Sequence, residues 1–96
     1  MEKELISELF EKFEQACYLL EGVECWSARE MLSILGYSKW DNFLNVIEKA
    51  KNACTTAGEK LSDHFADIGK MVDLGSSAQR KIDDIALTRY ACYLNF

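Results

Sequence analysis

A 96-residue chain with 49% hydrophobic residues has the size and composition of one small globular domain, and its apolar runs are too short for a membrane-spanning helix or a secretory signal. Its formal charge of −5 argues against a general polyanion binder, because phosphate contacts are made by Lys and Arg. The excess lies in residues 1–30, where eight glutamates face Lys3, Lys12 and Arg29, while residues 31–96 balance eight acids with eight bases and leave room for a local basic patch.

Leu5, Ile6, Leu9, Phe10 and Phe13 recur at helical spacing with glutamates on the other face, which predicts an amphipathic helix over about residues 2–13. Residues 14–26 admit two readings. Cys17 and Leu20 extend the helical stripe, whereas Ala16–Leu20 and Val23–Trp26 flank Glu21-Gly22 as the arms of a small hairpin would.

The stretch from Trp26 to Trp40 carries the clearest local signals. Ser27 is a good N-cap and Glu30 completes a capping box, both serving amides that a first helical turn leaves free. Met31, Leu32 and Leu35 supply an apolar stripe, and Gly36 sits where a helix ends in a left-handed residue. Ser38 is expected to cap the next helix, with Asp41 at the capping-box offset. Two helices joined through a glycine have the outline of a helix-turn-helix, which puts Lys39 and Asn42 on the exposed side of the second helix's first turn. Along that helix Trp40, Phe43, Leu44, Ile47, Ala50 and Cys54 share one face, so Trp40 reads as a core anchor before a base-stacking platform; Thr55, Thr56 and Gly58 end it.

Ser62-Asp63 opens a short helix or leads directly into a strand. The runs 68–74 and 80–87, joined by Gly75–Gln79, predict a hairpin that would stand as a wing beside the helix pair, with Arg80 and Lys81 as phosphate donors. Thr88 then caps a terminal helix from Arg89 to about Asn95. Tyr90, Tyr93, Leu94 and Phe96 make it apolar around much of its circumference, which predicts a homodimer or a protein partner at this end.

Cys17, Cys25, Cys54 and Cys92 form no CxxC pair and His64 is the only histidine, so no zinc framework is present; reduced, mostly buried thiols are expected. His64 beside Asp63 reads as a turn or capping residue. With no phosphate loop, no Ser/Cys–His–acid order and no metal cluster, the chain is not expected to be an enzyme. No cofactor and no small-molecule substrate are implied.

Trp26-Ser27-Ala28-Arg29-Glu30, Leu35-Gly36-Tyr37-Ser38 with Trp40 and Phe43, Asp63-His64-Phe65, Gly75-Ser76 with Ala78-Gln79-Arg80, Asp84, and Thr88 through Leu94 occur in an order that resembles the amino-terminal region of the DNA-damage-inducible protein D family, related to the Bro-N domains of phage antirepressors. The similarity spans roughly residues 13–94. It favours the hairpin reading of residues 14–26. It implies a DNA-associated regulatory domain of bacterial or phage origin and, in some members, interference with recombinase filaments on single-stranded DNA. Family members continue into a further helical region after the Arg-Tyr-Ala-Cys-Tyr-Leu helix, whereas this chain stops at Phe96, so activity housed there is not expected of it.

The resulting expectation is one cytoplasmic α+β domain over residues 1–96, mainly helical, with a helix-turn-helix-like core and one or two small β-hairpins in a winged arrangement. Arg29, Lys39, Asn42, Arg80 and Lys81 would meet DNA phosphates, and Tyr90, Tyr93, Leu94 and Phe96 a partner or second copy. The alternative is a protein-interaction module that inhibits a host DNA-processing or regulatory protein, its acidic first helix meeting a basic surface.

Overall fold

In the computed structural model, which describes residues 3–95 (of Lys3 and Asn95 the backbone only), the elements follow as α1 (Lys3–Gln15), β1 (Tyr18–Leu20), β2 (Val23–Ser27), α2 (Ala28–Ile34), α3 (Trp40–Thr56), α4 (Leu61–His64), β3 (Phe65–Gly75), β4 (Ala78–Thr88) and α5 (Arg89–Asn95). The strands form one curled antiparallel sheet in the order β1-β2-β4-β3.

This sheet overturns the mainly helical, winged helix-turn-helix expectation. β3 and β4 are 11 residues each and pair with each other, and β4 also pairs with β2, so the hairpin is the structural centre of the sheet rather than a wing attached to a helical core. The helix pair differs too. In a helix-turn-helix the two helices pack on one another, but here α3 packs chiefly against α5, and α2 lies on β4.

The local signals around α2 hold. The Ser27 hydroxyl accepts from the Glu30 amide at 3.3 Å, as a capping residue does. At the other end Gly36 takes a φ of 78°, the Tyr37 amide donates to the Leu32 carbonyl at 3.0 Å and the Gly36 amide to Ser33 at 3.2 Å. That double closure needs a left-handed residue after the cap, which glycine adopts without steric cost. Ser38, by contrast, does not cap α3. The N-cap is Lys39, which makes no side-chain capping bond, and Ser38 lies one residue outside.

For residues 14–26 the hairpin reading is the observed one. β1 and β2 pair Tyr18 with Cys25 and Leu20 with Val23 around Glu21-Gly22. α1 runs two residues further than expected, to Gln15. The strand runs were placed too short: β3 begins at Phe65, directly after α4, and the loop expected over Gly75–Gln79 is a tight turn at Ser76-Ser77. Thr88 does cap α5, accepting from the Ala91 amide at 3.2 Å.

The core lies between the helices and one face of the sheet. Trp26, Leu87 and Phe65 stand side by side across β2, β4 and β3, and Met31, Phe43, Ile47, Ala91 and Cys92 close over them. Phe13 stacks on Trp26 with centroids 4.4 Å apart, and the Trp26 indole N–H donates to the Phe13 carbonyl at 2.6 Å, so the end of α1 is fastened to the core. From Gly69 round to Asp83 no residue is fully buried: the distal half of the hairpin extends past the core into solvent.

Candidate functional site

The five residues expected to meet phosphate do not share one environment. Arg29 is occupied within the fold. Its guanidinium lies 4.1 Å from the centroid of the Trp40 ring and its Nε donates to the Asp83 carbonyl at 2.5 Å. Trp40, half-buried beneath it, is a packing surface for Arg29, in keeping with its reading as an anchor. Lys39 and Asn42 are exposed at the start of α3, and Arg80 and Lys81 are exposed on the distal part of β4. The aliphatic stem of Lys81 lies over Gly69 of the neighbouring strand, where any Cβ would collide with it.

The surface between α3 and the base of the hairpin is where a helix-and-wing arrangement would seat a phosphate backbone. Here it is a cleft of about 410 Å³ lined by Glu48, Asp67 and Asp83, with Lys51 held by Glu48 at 3.5 Å. Carboxylates in that position repel a polyanion. Among the described residues no group of three or more His, Cys, Asp and Glu is arranged to hold a metal ion. No helix of the described chain is long and apolar enough to cross a membrane.

His64 is a structural residue of the α4–α5 junction. Its Nδ1 shares a hydrogen bond with the Thr88 hydroxyl at 2.8 Å, and its Nε2 faces Glu59 at 3.5 Å. The ring rests on Tyr90 with centroids 4.6 Å apart.

A different surface is left incomplete. Leu5, Ile6 and Phe10 on α1 are 46%, 52% and 60% exposed, although their spacing marks them as a buried face. Between α1 and the opposing α2 and α5 runs an apolar groove of about 250 Å³, lined by Ile6, Leu9, Phe10, Phe13, Met31, Ile34, Leu35, Cys92 and Tyr93. Tyr93 is 62% exposed at its edge, while Tyr90 and Leu94 are half-buried against the core. Of the residues expected at a partner surface, Tyr93 alone therefore lines the groove; Phe96 lies outside the described residues. Sequence reasoning recognised the apolar row of α1 as the face of an amphipathic helix but did not mark it as a contact surface. The signal was the row itself, five large side chains over three turns on a chain too small to cover them all.

One end of this groove is fixed by Arg89. Its guanidinium forks onto Glu14 at 2.7 and 3.3 Å, reaches Glu24 at 3.5 Å, and lies 4.9 Å from the centroid of the Trp26 ring. A cation in the first turn of α5 opposes the helix dipole, and the two glutamates offset this. Arg89 in turn holds the Glu14 carboxyl below the ordinary value of 4.5, chiefly through their hydrogen bonds, and Glu14 raises the Arg89 guanidinium still further. The first helix is thus anchored at its carboxyl end, and its amino-terminal half overhangs the groove.

Over 73 residues the chain is 49% identical to DNA damage-inducible protein D of Escherichia coli (strain K12). The matched span is 76% of this chain and 27% of that protein, so the chain spans about a quarter of the length of the curated relative it matches. No family model matches the chain, the Bro-N domain included, and no solved structure matches it.

Proposed function

We propose that this chain is a noncatalytic regulatory domain of the bacterial DNA-damage response that works by binding, with a protein as its first partner. The tie to DNA damage rests on the 49% identity to a protein named for its induction by such damage. The mode of action rests on one observation: an apolar groove runs under α1, edged by exposed Ile6, Phe10 and Tyr93. Contiguous exposed apolar surface of this kind marks a contact site on a soluble domain. The chain carries a net charge of −5, and two of its arginines are engaged within the fold: Arg29 on Trp40 and Asp83, Arg89 on Glu14 and Glu24.

A second reading keeps direct DNA association. Its support is that the side chains of Lys39, Asn42, Arg80 and Lys81 are exposed and make no ion pair or hydrogen bond among the described residues. The two readings part in one experiment. The chain is expressed in bacteria and survival after ultraviolet irradiation is followed, with wild type, Phe10→Ser, and the double variant Arg80→Ala, Lys81→Ala. An effect that disappears with Phe10→Ser and survives the double variant supports protein contact. The reverse pattern, with salt-sensitive binding to single- or double-stranded DNA in vitro, overturns it in favour of DNA.

A further inference from the structure

We infer that the outer edge of β3 takes up an extended segment of another protein as a fifth strand, and that this segment carries Lys or Arg on the side facing Asp67 and Asp73. This contact is separate from the α1 groove and does not depend on it.

The backbone decides the shape of the partner. β3 is the last strand in the order β1-β2-β4-β3, so only one of its sides is paired. It runs for 11 residues, about twice the usual strand length. Alternate residues of an antiparallel strand turn both N–H and C=O away from its neighbour. Among the described residues no hydrogen bond reaches the backbone on that open side between Ala66 and Leu74. Edges that must stay unpaired are blunted by proline, by a bulge or by shortness. Here the sequence has no proline, the irregularity comes only between Asp73 and Gly75, and it is the other edge, β1, that is cut to three residues. Lys70, the one cation of β3, lies 4.0 Å from Glu30. A row of open amides and carbonyls is completed by an extended backbone and not by a helix.

Charge decides its sequence. The register of β3 on β4 is unbroken from Phe65 to Asp73, so Asp67, Gly69, Met71 and Asp73 share one face and Ile68, Lys70 and Val72 the other. Asp67 borders the cleft of about 410 Å³ that also holds Asp83 and Glu48, and it makes no ion pair among the described residues. Asp73 is met by a neutral donor, the Gln79 side-chain amide at 3.1 Å. The first face is therefore negative along the edge, while the second is half-buried. Residues directly opposite in an added strand project on the same face as their partners. A twofold pair of β3 edges is antiparallel, and in it each aspartate meets only the Asp, Gly, Met or Phe of its own face, because Lys70 lies on the other. A second copy thus brings no β3 cation to either aspartate. A strand with Lys or Arg six residues apart brings one to each, and opposite charges across a strand pair stabilise it.

The test uses the whole chain and labelled peptides of about nine residues, the span of the open edge. One alternates Val and Thr with two Lys six residues apart, a second carries Glu in place of Lys, and two more are the Lys peptide N-methylated at one or the other set of alternate residues. Fluorescence polarisation should show the Lys peptide binding at least about tenfold more tightly than the Glu peptide at low salt. An added strand uses one of its own edges, so one N-methylated peptide should bind like its parent and the other should not. The double variant Asp67→Lys, Asp73→Lys, at two exposed positions, should reverse the charge preference while circular dichroism stays native. Phe10→Ser should leave this binding unchanged, so failure of the edge contact and failure of the groove reading are told apart. Absence of binding by the Lys peptide, or equal binding of the Glu peptide, would overturn the inference. Retention of binding by both N-methylated peptides, or its loss in both, would do the same. So would a concentration-dependent dimer in which the amides of β3 become protected from hydrogen exchange, because the edge would then belong to a second copy.

Discussion

The carboxylate of Asp84, on β4, caps the amino terminus of α2 from across the fold, accepting hydrogen bonds from the Ser27 hydroxyl and from the Arg29 amide at 3.1 Å. It also accepts from the Ile85 amide at 2.8 Å and is 2% exposed. A buried charge survives because it is fully hydrogen-bonded and sits at the positive end of a helix.

Replacing it therefore strands donors that water cannot reach. Asp84→Ala should lower the unfolding free energy by about 3 kcal/mol, the range for breaking a buried hydrogen-bonded charge. Ser27→Ala, which removes the cap but leaves the carboxylate its backbone donors, should cost about 1 kcal/mol. Urea titrations of the two variants check both values, and equal small losses would show that the pair is solvated in solution.

The Arg89–Glu14 contact predicts a pH dependence. The Glu14 carboxyl is held below its ordinary value of 4.5 in the folded chain, so its protonation favours the unfolded state. The contribution is present above that ordinary value and is lost as pH falls through the lower folded-state value. Denaturation midpoints should decline through this acid window in the wild type and decline less in Arg89→Met. A parallel decline in the two proteins would assign the acid sensitivity to other carboxylates.

The turn of the long hairpin is built from residues that resist it. Ser76 and Ser77 take φ values of 50° and 65°, the left-handed pair of a two-residue hairpin turn that Asn-Gly adopts more readily. Changing Ser76-Ser77 to Asn-Gly should raise stability by about 0.5–1 kcal/mol, with a Tm gain of several degrees. Neither serine lines the α1 groove, so an effect that depends on Phe10 should be unchanged.

What could be read from the chain itself was local. Ser27, Glu30 and Gly36 announce the ends of α2 because capping depends on residues three or four apart, and Thr88 does the same for α5. The start of β3 was hidden because Phe65 follows α4 with no turn residue between them, and the strand ends at the turn because residues 73–80 are exposed on both faces. The capping role of Asp84 was hidden because its donors, Ser27 and Arg29, lie more than fifty residues earlier. Arg29 looked free because nothing in the sequence places the Trp40 ring under it. The row on α1 was read correctly as a face, but periodicity reports that a face is apolar and not what covers it.

The thiols join core packing to the groove. Cys25, Cys54 and Cys92 are 5%, 0% and 1% exposed, and burial pushes all three upward, Cys92 to about 12. Half-buried Cys17 is also raised, first by burial and then by Glu24. A thiol reacts as its thiolate, so native protein at mildly alkaline pH should be labelled slowly at Cys17 and far more slowly at the other three, while denaturant should release all four. Mass spectrometry of alkylated peptides gives the order. Cys92 lines the α1 groove, so a protein partner bound there should slow its labelling further, and Phe10→Ser should remove that protection. Rapid modification of Cys92 in the native state would mean that α5 opens readily. The groove would then not be the preformed surface on which the binding proposal depends.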